Sequence, residues 1–106
     1  ALTTRKGEGI KETVQEYQFV DVMAKEEHGF SYEGARALYY YLIELEDDVG
    51  VELEFDPIAL RREWTEYDSL ADVTADYSEI ETVEDLRDDT IVIEIPDSER
   101  LIVCAF

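Results

Sequence analysis

The sequence has few of the side chains that bind transition metals or act as nucleophiles. It contains one histidine and one cysteine among its 106 residues. A single cysteine excludes an internal disulfide, and one cysteine with one histidine falls short of the four ligands of a structural zinc site. His28 precedes Gly29 at an expected helix end, and Cys104 lies in an apolar segment typical of a protein core. We therefore expect neither residue to be catalytic.

Patterns that bind cofactors are missing as well. There is no glycine-rich phosphate loop and no dinucleotide fingerprint, and residues 44–56 lack the ligand spacing of a calcium loop. A pair of carboxylates that hydrolyses a glycoside remains an alternative, although so short a chain leaves little room for a substrate cleft. The sequence favours a protein that is not an enzyme and has no metal and no cofactor.

Long apolar runs are also absent. No segment approaches the roughly 18 residues of a membrane span, and the start of the sequence lacks a continuous apolar signal stretch. Together with the lack of a disulfide, this predicts a soluble, cytoplasmic protein that does not bind membranes.

Basic residues are scarce, which leaves the chain strongly acidic. Nine lysines and arginines face 28 acids, for a formal net charge of -19. Residues 1–43 carry seven acids and five bases, whereas residues 44–99 carry twenty-one acids and three arginines. Packing so many like charges on one small body costs stability, so such a field usually serves solubility, steering or a basic partner. The charge is the main functional clue in the sequence.

A surface of this sign limits the class of partner. Nucleic acids and anionic lipid head groups are themselves negative, so direct binding to either is not expected. A concentrated cationic surface would be attracted, and such surfaces are typical of proteins that bind nucleic acids. We therefore expect a basic nucleic-acid-binding protein or complex as the partner, and the sequence leaves open whether two copies form a homodimer.

The first half of the sequence predicts helices. Residues 1–9 are polar and glycine-containing, as in a flexible arm, and residues 10–106 would form one acidic domain. Helical spacing predicts a first helix over residues 10–27 with Gly29 as its stop, although Phe19, Val20 and Val22 leave a strand as an alternative. Ser31 is a good N-cap for a second helix that ends at Gly50.

Alternation of apolar and acidic residues over 51–56 predicts a half-buried strand. Pro57 then allows either the first position of a helix capped by Asp56 or an irregular edge strand that continues through Trp64. We favour the edge strand.

The second half of the sequence predicts short elements. Ser69 is positioned to cap one short helix, and Thr82 with Asp85 resembles the capping box of another that ends near Asp88. Residues 91–95 and 101–106 are rich in β-branched residues and flank turn residues, which predicts a hairpin. The resulting fold class is α+β, with a small antiparallel sheet and helices packed on one face.

Aromatic residues are candidates for partner contacts. Tyr39, Tyr40 and Tyr41 are consecutive on a predicted helix, so their side chains are about 100° apart and at least one is exposed. An exposed tyrosine is either an isolated surface residue or an interface anchor, since tyrosine is enriched at binding hot spots. The candidate anchors are Tyr40, Trp64 and Tyr67.

Five segments resemble a family of small acidic proteins of phages and prophages: residues 30–38, 41–44, 58–60, 63–70 and 86–90. The resemblance covers about two thirds of the chain, from Phe30 onward, and departs from the family at Pro57 and at the pair Arg61 and Arg62. It brings no catalytic residue. It implies a phage setting, in which acidic proteins include DNA mimics that block restriction or CRISPR enzymes, and it places the protein in the host cytoplasm.

The leading hypothesis is an inhibitor that mimics DNA. Duplex DNA carries one charge per about 1.7 Å of axis, so the net charge of -18 over residues 44–99 matches roughly 30 Å of duplex. The carboxylates that would replace phosphates are Glu44, Glu46, Asp47, Asp48, Glu52, Glu54, Asp68, Asp72, Asp76, Glu79, Glu81, Glu84, Asp85, Asp88 and Asp89.

Two alternatives give the acidic surface no such role. In one, the carboxylates only keep the protein hydrated at high salt. In the other, they solvate an adaptor that binds through the helix with the three tyrosines. The uneven distribution of charge favours the mimic, because salt adaptation gives no reason to spare the first 43 residues.

Overall fold

The computed structural model describes residues 15–50, Leu53 and residues 55–106, apart from the side chain of Glu26. The predicted arm, the first five residues of the predicted first helix, and the candidate acids Glu52 and Glu54 lie outside the described residues. So does most of the predicted strand over 51–56. Leu53 is buried and Phe55 packs against the same core, as their alternate positions predict.

The described part of the chain contains five α-helices and one three-stranded sheet. In chain order the elements are α1 (Glu16–Met23), α2 (Tyr32–Val49), α3 (Pro57–Glu63), β1 (Trp64–Tyr67), α4 (Leu70–Asp76), α5 (Val83–Asp89), β2 (Val92–Glu94) and β3 (Leu101–Cys104). A 3-10 turn over Glu26–His28 separates α1 from α2. The strands are antiparallel in the order β1-β3-β2. The predicted α+β class is confirmed.

The segment that contains Phe19, Val20 and Val22 forms a helix, α1, and not the alternative strand. Phe19 and Met23 are fully buried because residues four apart share one face, whereas Tyr17 is 67 % exposed. The buried face of α1 is therefore the one that carries Phe19 and Met23. The helix ends earlier than predicted, with Ala24 as its C-cap, and Gly29 instead ends the following 3-10 turn with a φ of 77°.

Helix α2 has the predicted limits. The Ser31 hydroxyl accepts a hydrogen bond from the Gly34 N–H at 3.0 Å, and Gly50 ends the helix in the left-handed conformation with a φ of 69°. Its buried apolar side chains lie on one face and pack against α1 and the sheet; they are Ala35, Leu38, Tyr39 and Leu42.

The preferred interpretation of the Pro57 segment is wrong. Residues 57–63 form helix α3 rather than an edge strand. The Asp56 carboxylate accepts a hydrogen bond from the Ala59 N–H at 3.1 Å, and Pro57 fits the first helical position, where no N–H is needed. The local cap therefore decides between the two alternatives, and the strand begins only at Trp64.

The sheet has an apolar layer on each face. Ile102 and Trp64 belong to a core formed with α1 and α2. Leu101 and Val103, whose side chains point the other way along β3, pack against α4 and α5. We predicted helices on one face of the sheet only. Helices lie on both faces because three consecutive apolar residues of β3 are buried. Their side chains alternate between the two faces of the sheet, so each face has to be packed against helices.

The predicted elements of the second half are confirmed. Helix α4 follows Ser69, although the serine side chain makes no capping hydrogen bond. Helix α5 begins at Thr82 with the expected capping box. Strands β2 and β3 form the predicted hairpin, with Ile93 opposite Ile102.

Candidate partner-binding surface

The segment from α4 to the end of α5 carries a dense group of exposed carboxylates. Residues 70–89 contain eight acidic residues and one basic residue, and all eight acidic side chains are exposed. We call these eight residues the acidic face: Asp72, Asp76, Glu79, Glu81, Glu84, Asp85, Asp88 and Asp89. All eight were predicted to replace phosphates, and the structure brings them into one layer over the sheet.

The acidic face points outward because the apolar residues between the acids point inward. Val73 and Leu86 are fully buried, and Ile80 is 3 % exposed. These side chains pack against Leu101 and Val103 of the central strand. The acids are thus displayed by short helices held on a sheet, rather than by a chain without fixed positions.

Two members of the acidic face have local structural partners. The Asp85 carboxylate accepts hydrogen bonds from the N–H groups of Glu81 and Thr82 at 3.2 and 3.3 Å, which completes the capping box. Asp76 accepts a hydrogen bond from the Tyr67 hydroxyl at 3.5 Å. Among the described residues, the other six carboxylates make no hydrogen bond or ion pair.

The one basic residue of the segment does not neutralise the acidic face. Arg87 Nη2 lies 2.8 Å from Glu94 Oε2, a carboxylate of β2 outside the segment. Because both side chains are about half exposed, the pair contributes little to stability, but it does occupy the guanidinium.

The predicted acids at the end of α2 divide into two groups. Glu44, Asp47 and Asp48 are exposed. Glu46 is only 7 % exposed, and its carboxylate accepts a hydrogen bond from the Leu53 N–H at 2.7 Å. The prediction that Glu46 replaces a phosphate is wrong, because this carboxylate holds the chain that follows the helix inside the core.

The end of α2 and the end of α5 lie at the same end of the sheet, although the two helices cover opposite faces. Tyr41 of α2 contacts Trp64, which is opposite Cys104 in the sheet. Thr90, directly after α5, donates a hydrogen bond to the Cys104 carbonyl at 2.7 Å. From Tyr41 the helix continues for eight more residues, about 12 Å. Asp47 and Asp48 near the end of α2 therefore extend past the sheet at the end where α5 terminates.

The predicted acid Asp68 forms an ion pair with Arg100. Its carboxylate lies 2.7 Å from Arg100 Nη1. The same guanidinium pairs with Glu66, whose side chain is fully buried. Asp68 is thus partly neutralised, which separates it from the acidic face.

The three aromatic candidates have different environments. Tyr40 is 51 % exposed, as an anchor requires, and its hydroxyl donates to Glu16 at 2.8 Å. Tyr67 is half-buried beneath α4. Trp64 is 2 % exposed in the core, so the prediction that it is a surface anchor is wrong.

The structure also contains a groove that the sequence did not predict. It lies between α2 and β2 and has a volume of about 560 Å³. Ala37, Tyr41 and Ile93 contribute to its apolar lining, together with the hairpin turn at Pro96. Glu33 and Glu44 are the first and last residues of α2 that line the groove.

Burial changes the acid–base properties of the tyrosines on this side of the molecule. It raises the pKa of Tyr41 above the ordinary 10.0. The hydrogen bond to Glu16 raises the pKa of Tyr40. Both phenols therefore stay neutral at physiological pH and present hydrogen-bonding rings rather than further negative charge.

Metal binding and membrane insertion find no support within the described residues. In that part of the chain, no group of three or more His, Cys, Asp or Glu side chains is arranged to hold a metal ion. Nor does any helix described there combine the length and apolarity needed to cross a membrane.

Comparison with protein-family models, curated proteins and solved structures finds no match to this chain. The surface and its chemistry are therefore the basis for any functional conclusion.

Proposed function

We propose that this protein is a phage-encoded inhibitor of a host defence system that targets nucleic acids, of the CRISPR or restriction type. The acidic face occupies the basic groove in which the defence enzyme holds DNA, with carboxylates in the positions of phosphates. The protein acts in the host cytoplasm and needs no catalytic residue and no cofactor.

The observation that carries this proposal is the composition and exposure of the acidic face. Eight exposed carboxylates lie within twenty residues, and the one arginine among them is paired elsewhere. Positive residues that bind DNA recognise closely spaced negative charges on a firm support, and α4 and α5 provide that support by packing on the sheet.

The exposed acids at the end of α2 extend the same surface in this proposal. Asp47 and Asp48 project past the end of the sheet that α5 also reaches. A groove that follows DNA around its axis contacts phosphates over more than one side. Acids carried by both layers of the fold fit such a groove better than acids confined to one helix.

The proposal is tested by capturing the target from host lysate and asking whether duplex DNA displaces it. The purified target is then assayed for cleavage of a labelled duplex in the presence of this protein. We expect inhibition that falls steeply as salt rises, because the attraction is between exposed charges.

A matched pair of variants separates the acidic face from net charge. The test variant carries Asp72→Asn, Glu79→Gln, Glu81→Gln and Asp88→Asn. The control removes the same number of charges from exposed positions elsewhere, by Asp21→Asn, Glu27→Gln, Asp97→Asn and Glu99→Gln. We expect the test variant to lose at least tenfold in inhibition, about 1.4 kcal/mol, and the control to retain most of it.

Equal loss in both variants would show that only total charge matters. A captured target that DNA does not displace, and whose affinity does not change with salt, would contradict the proposal. It would then favour a solvating role for the carboxylates.

A further inference from the structure

The groove between α2 and β2 lies apart from the acidic face. It is on the face of the sheet covered by α1 and α2, whereas the acidic face is built on α4 and α5. We propose that this groove binds an extended peptide segment of a partner protein, with a basic side chain at each end and an apolar side chain between them. The inference does not depend on mimicry of DNA.

The floor of the groove selects the central side chain. Ala37 and Tyr41 on α2 face Ile93 and Ile95 of the hairpin, with Pro96 closing one side. These surfaces are mostly hydrocarbon and aromatic ring. An aliphatic or aromatic side chain that enters the groove removes apolar surface from water on both partners, which is the main source of affinity at such sites.

The charges at the rim of the groove favour a peptide with a basic side chain at each end. Arg36 is paired with Glu16 at 3.1 Å, and Glu94 is paired with Arg87 at 2.8 Å, so these rim charges are already compensated. Glu33 and Glu44 are exposed, and neither makes a hydrogen bond or ion pair with a described residue. Within the described part of the chain, the groove therefore has a carboxylate without a cationic partner at each end, and a ligand with positive charge at both ends complements it.

The spacing of the two glutamates along α2 determines how far apart the two basic residues of the peptide must be. Glu33 and Glu44 are eleven residues apart in one helix, so their backbones are about 16 Å apart on nearly the same face. In an extended peptide, the first, third and fifth residues point the same way, and the first and fifth are about 13 Å apart. Long basic side chains at these two positions span the remaining distance, and the third residue then lies over the apolar floor.

The wall of the groove is held in place before any ligand binds. The Glu16 carboxylate of α1 accepts a hydrogen bond from the Tyr40 hydroxyl at 2.8 Å and pairs with Arg36. The side chains of Tyr40 and Arg36 both line the groove. A wall that is ordered in advance lowers the entropy cost of binding.

The probe for this proposal is a fluorescein-labelled peptide with the sequence Arg-Thr-Leu-Thr-Arg. Three comparison peptides test its features: the scrambled Arg-Arg-Thr-Leu-Thr, which keeps the charge, a version with Ser in place of Leu, and one with Glu in place of both Arg. Binding to the full chain is measured by fluorescence anisotropy at low and physiological salt. Backbone NMR shifts of Ala37 and Ile93 report whether the peptide lies in the groove.

Two protein variants complete the experiment. The rim variant carries Glu33→Gln and Glu44→Gln, and its matched control carries Asp72→Asn and Asp88→Asn on the other face of the sheet. We expect the rim variant to bind the probe at least tenfold more weakly and the control to bind it within about twofold of the unaltered chain. We expect the scrambled and Ser peptides to bind at least fivefold more weakly than the probe.

Equal binding of the probe and the scrambled peptide, or equal loss in the two variants, would overturn the proposal in favour of nonspecific attraction to an acidic protein. Sedimentation of the unaltered and rim variants gives an independent result. A dimer of the unaltered chain that the rim substitutions dissociate would also overturn it, since a second copy would then occupy the groove. These outcomes differ from failure of the proposed function, which depends on the acidic face.

Discussion

The Glu66 carboxylate fills the space beside Gly34 that a Cβ atom would need. It accepts a hydrogen bond from the Ser31 N–H at 3.0 Å, and its other oxygen lies 2.5 Å from Arg100 Nη2. Glu66 belongs to β1, and Ser31 and Gly34 form the first turn of α2. One buried carboxylate thus joins the start of the longest helix to the sheet, with its charge at the positive end of the helix.

Gly34→Ala should destabilise the protein, although alanine normally favours a helix by about 1 kcal/mol over glycine. The added methyl would overlap Glu66 Oε1, and such overpacking typically costs about 1–3 kcal/mol. The free energy of unfolding from urea titrations measures the change. In a Glu66→Ala background the same substitution should be neutral or stabilising. An increase in stability in the unaltered chain would contradict this packing.

Arg100→Met should also destabilise the protein. It removes the cation that compensates a fully buried carboxylate, while the guanidinium itself is 38 % exposed, so we expect a loss of about 1–3 kcal/mol rather than the larger values of fully buried pairs. Arg62→Met is the matched control, because Arg62 is exposed and makes no ion pair with a described residue. Urea titrations of both variants test this, and equal effects would show that the pair with Glu66 contributes nothing.

Asp85→Ala should cost about 1 kcal/mol through the loss of the capping box of α5. The Asp85 carboxylate accepts from two N–H groups before the helix, whereas Asp88 makes no hydrogen bond with its side chain in the described part of the chain. Asp88→Ala removes the same charge and is the control. Thermal unfolding by circular dichroism compares the two, and a control that melts as low as Asp85→Ala would exclude capping as the cause.

The protein should lose stability in alkaline solution. Burial raises the pKa of Tyr41 and Tyr67 above 10.0 and that of the Cys104 thiol above 9.0. A group whose folded-state pKa is raised contributes its full stability below the unfolded-state pKa and loses it as pH rises through the folded-state value. The melting temperature should therefore fall from about pH 9 upward.

Tyr41→Phe tests the origin of this alkaline loss, because phenylalanine keeps the ring and cannot ionise. We expect a shallower fall of the melting temperature between about pH 9 and pH 11 than in the unaltered chain. Identical slopes would mean that the Tyr41 phenol makes no contribution.

Local signals in the sequence predicted much of the fold. Ser31 with Gly50, and Thr82 with Asp85, mark helix ends through contacts within a few residues, and both pairs are confirmed. The Asp56 cap was an equally local signal, but Pro57 was also compatible with an edge strand. The choice depended on a hydrogen bond to Ala59 that composition does not show.

The candidate site was harder to predict because it depends on contacts between distant residues. Exposure of the acids on α4 and α5 follows from their spacing around Val73 and Leu86. The burial of Glu46 depends on a backbone N–H seven residues away, and the groove depends on α2 lying beside β2. Neither arrangement has a periodic signature in the sequence, which explains the incorrect assignment of Glu46 and the missed groove.

The central position of β3 has a consequence for synthesis on the ribosome. Both apolar layers close on Leu101, Ile102 and Val103, and every helix described here precedes that strand in the chain. While the ribosome is still adding residues before 101, the inner faces of these helices have no sheet to cover. The nascent chain must therefore stay dispersed by other means during that interval, and strong mutual repulsion among its many carboxylates supplies one.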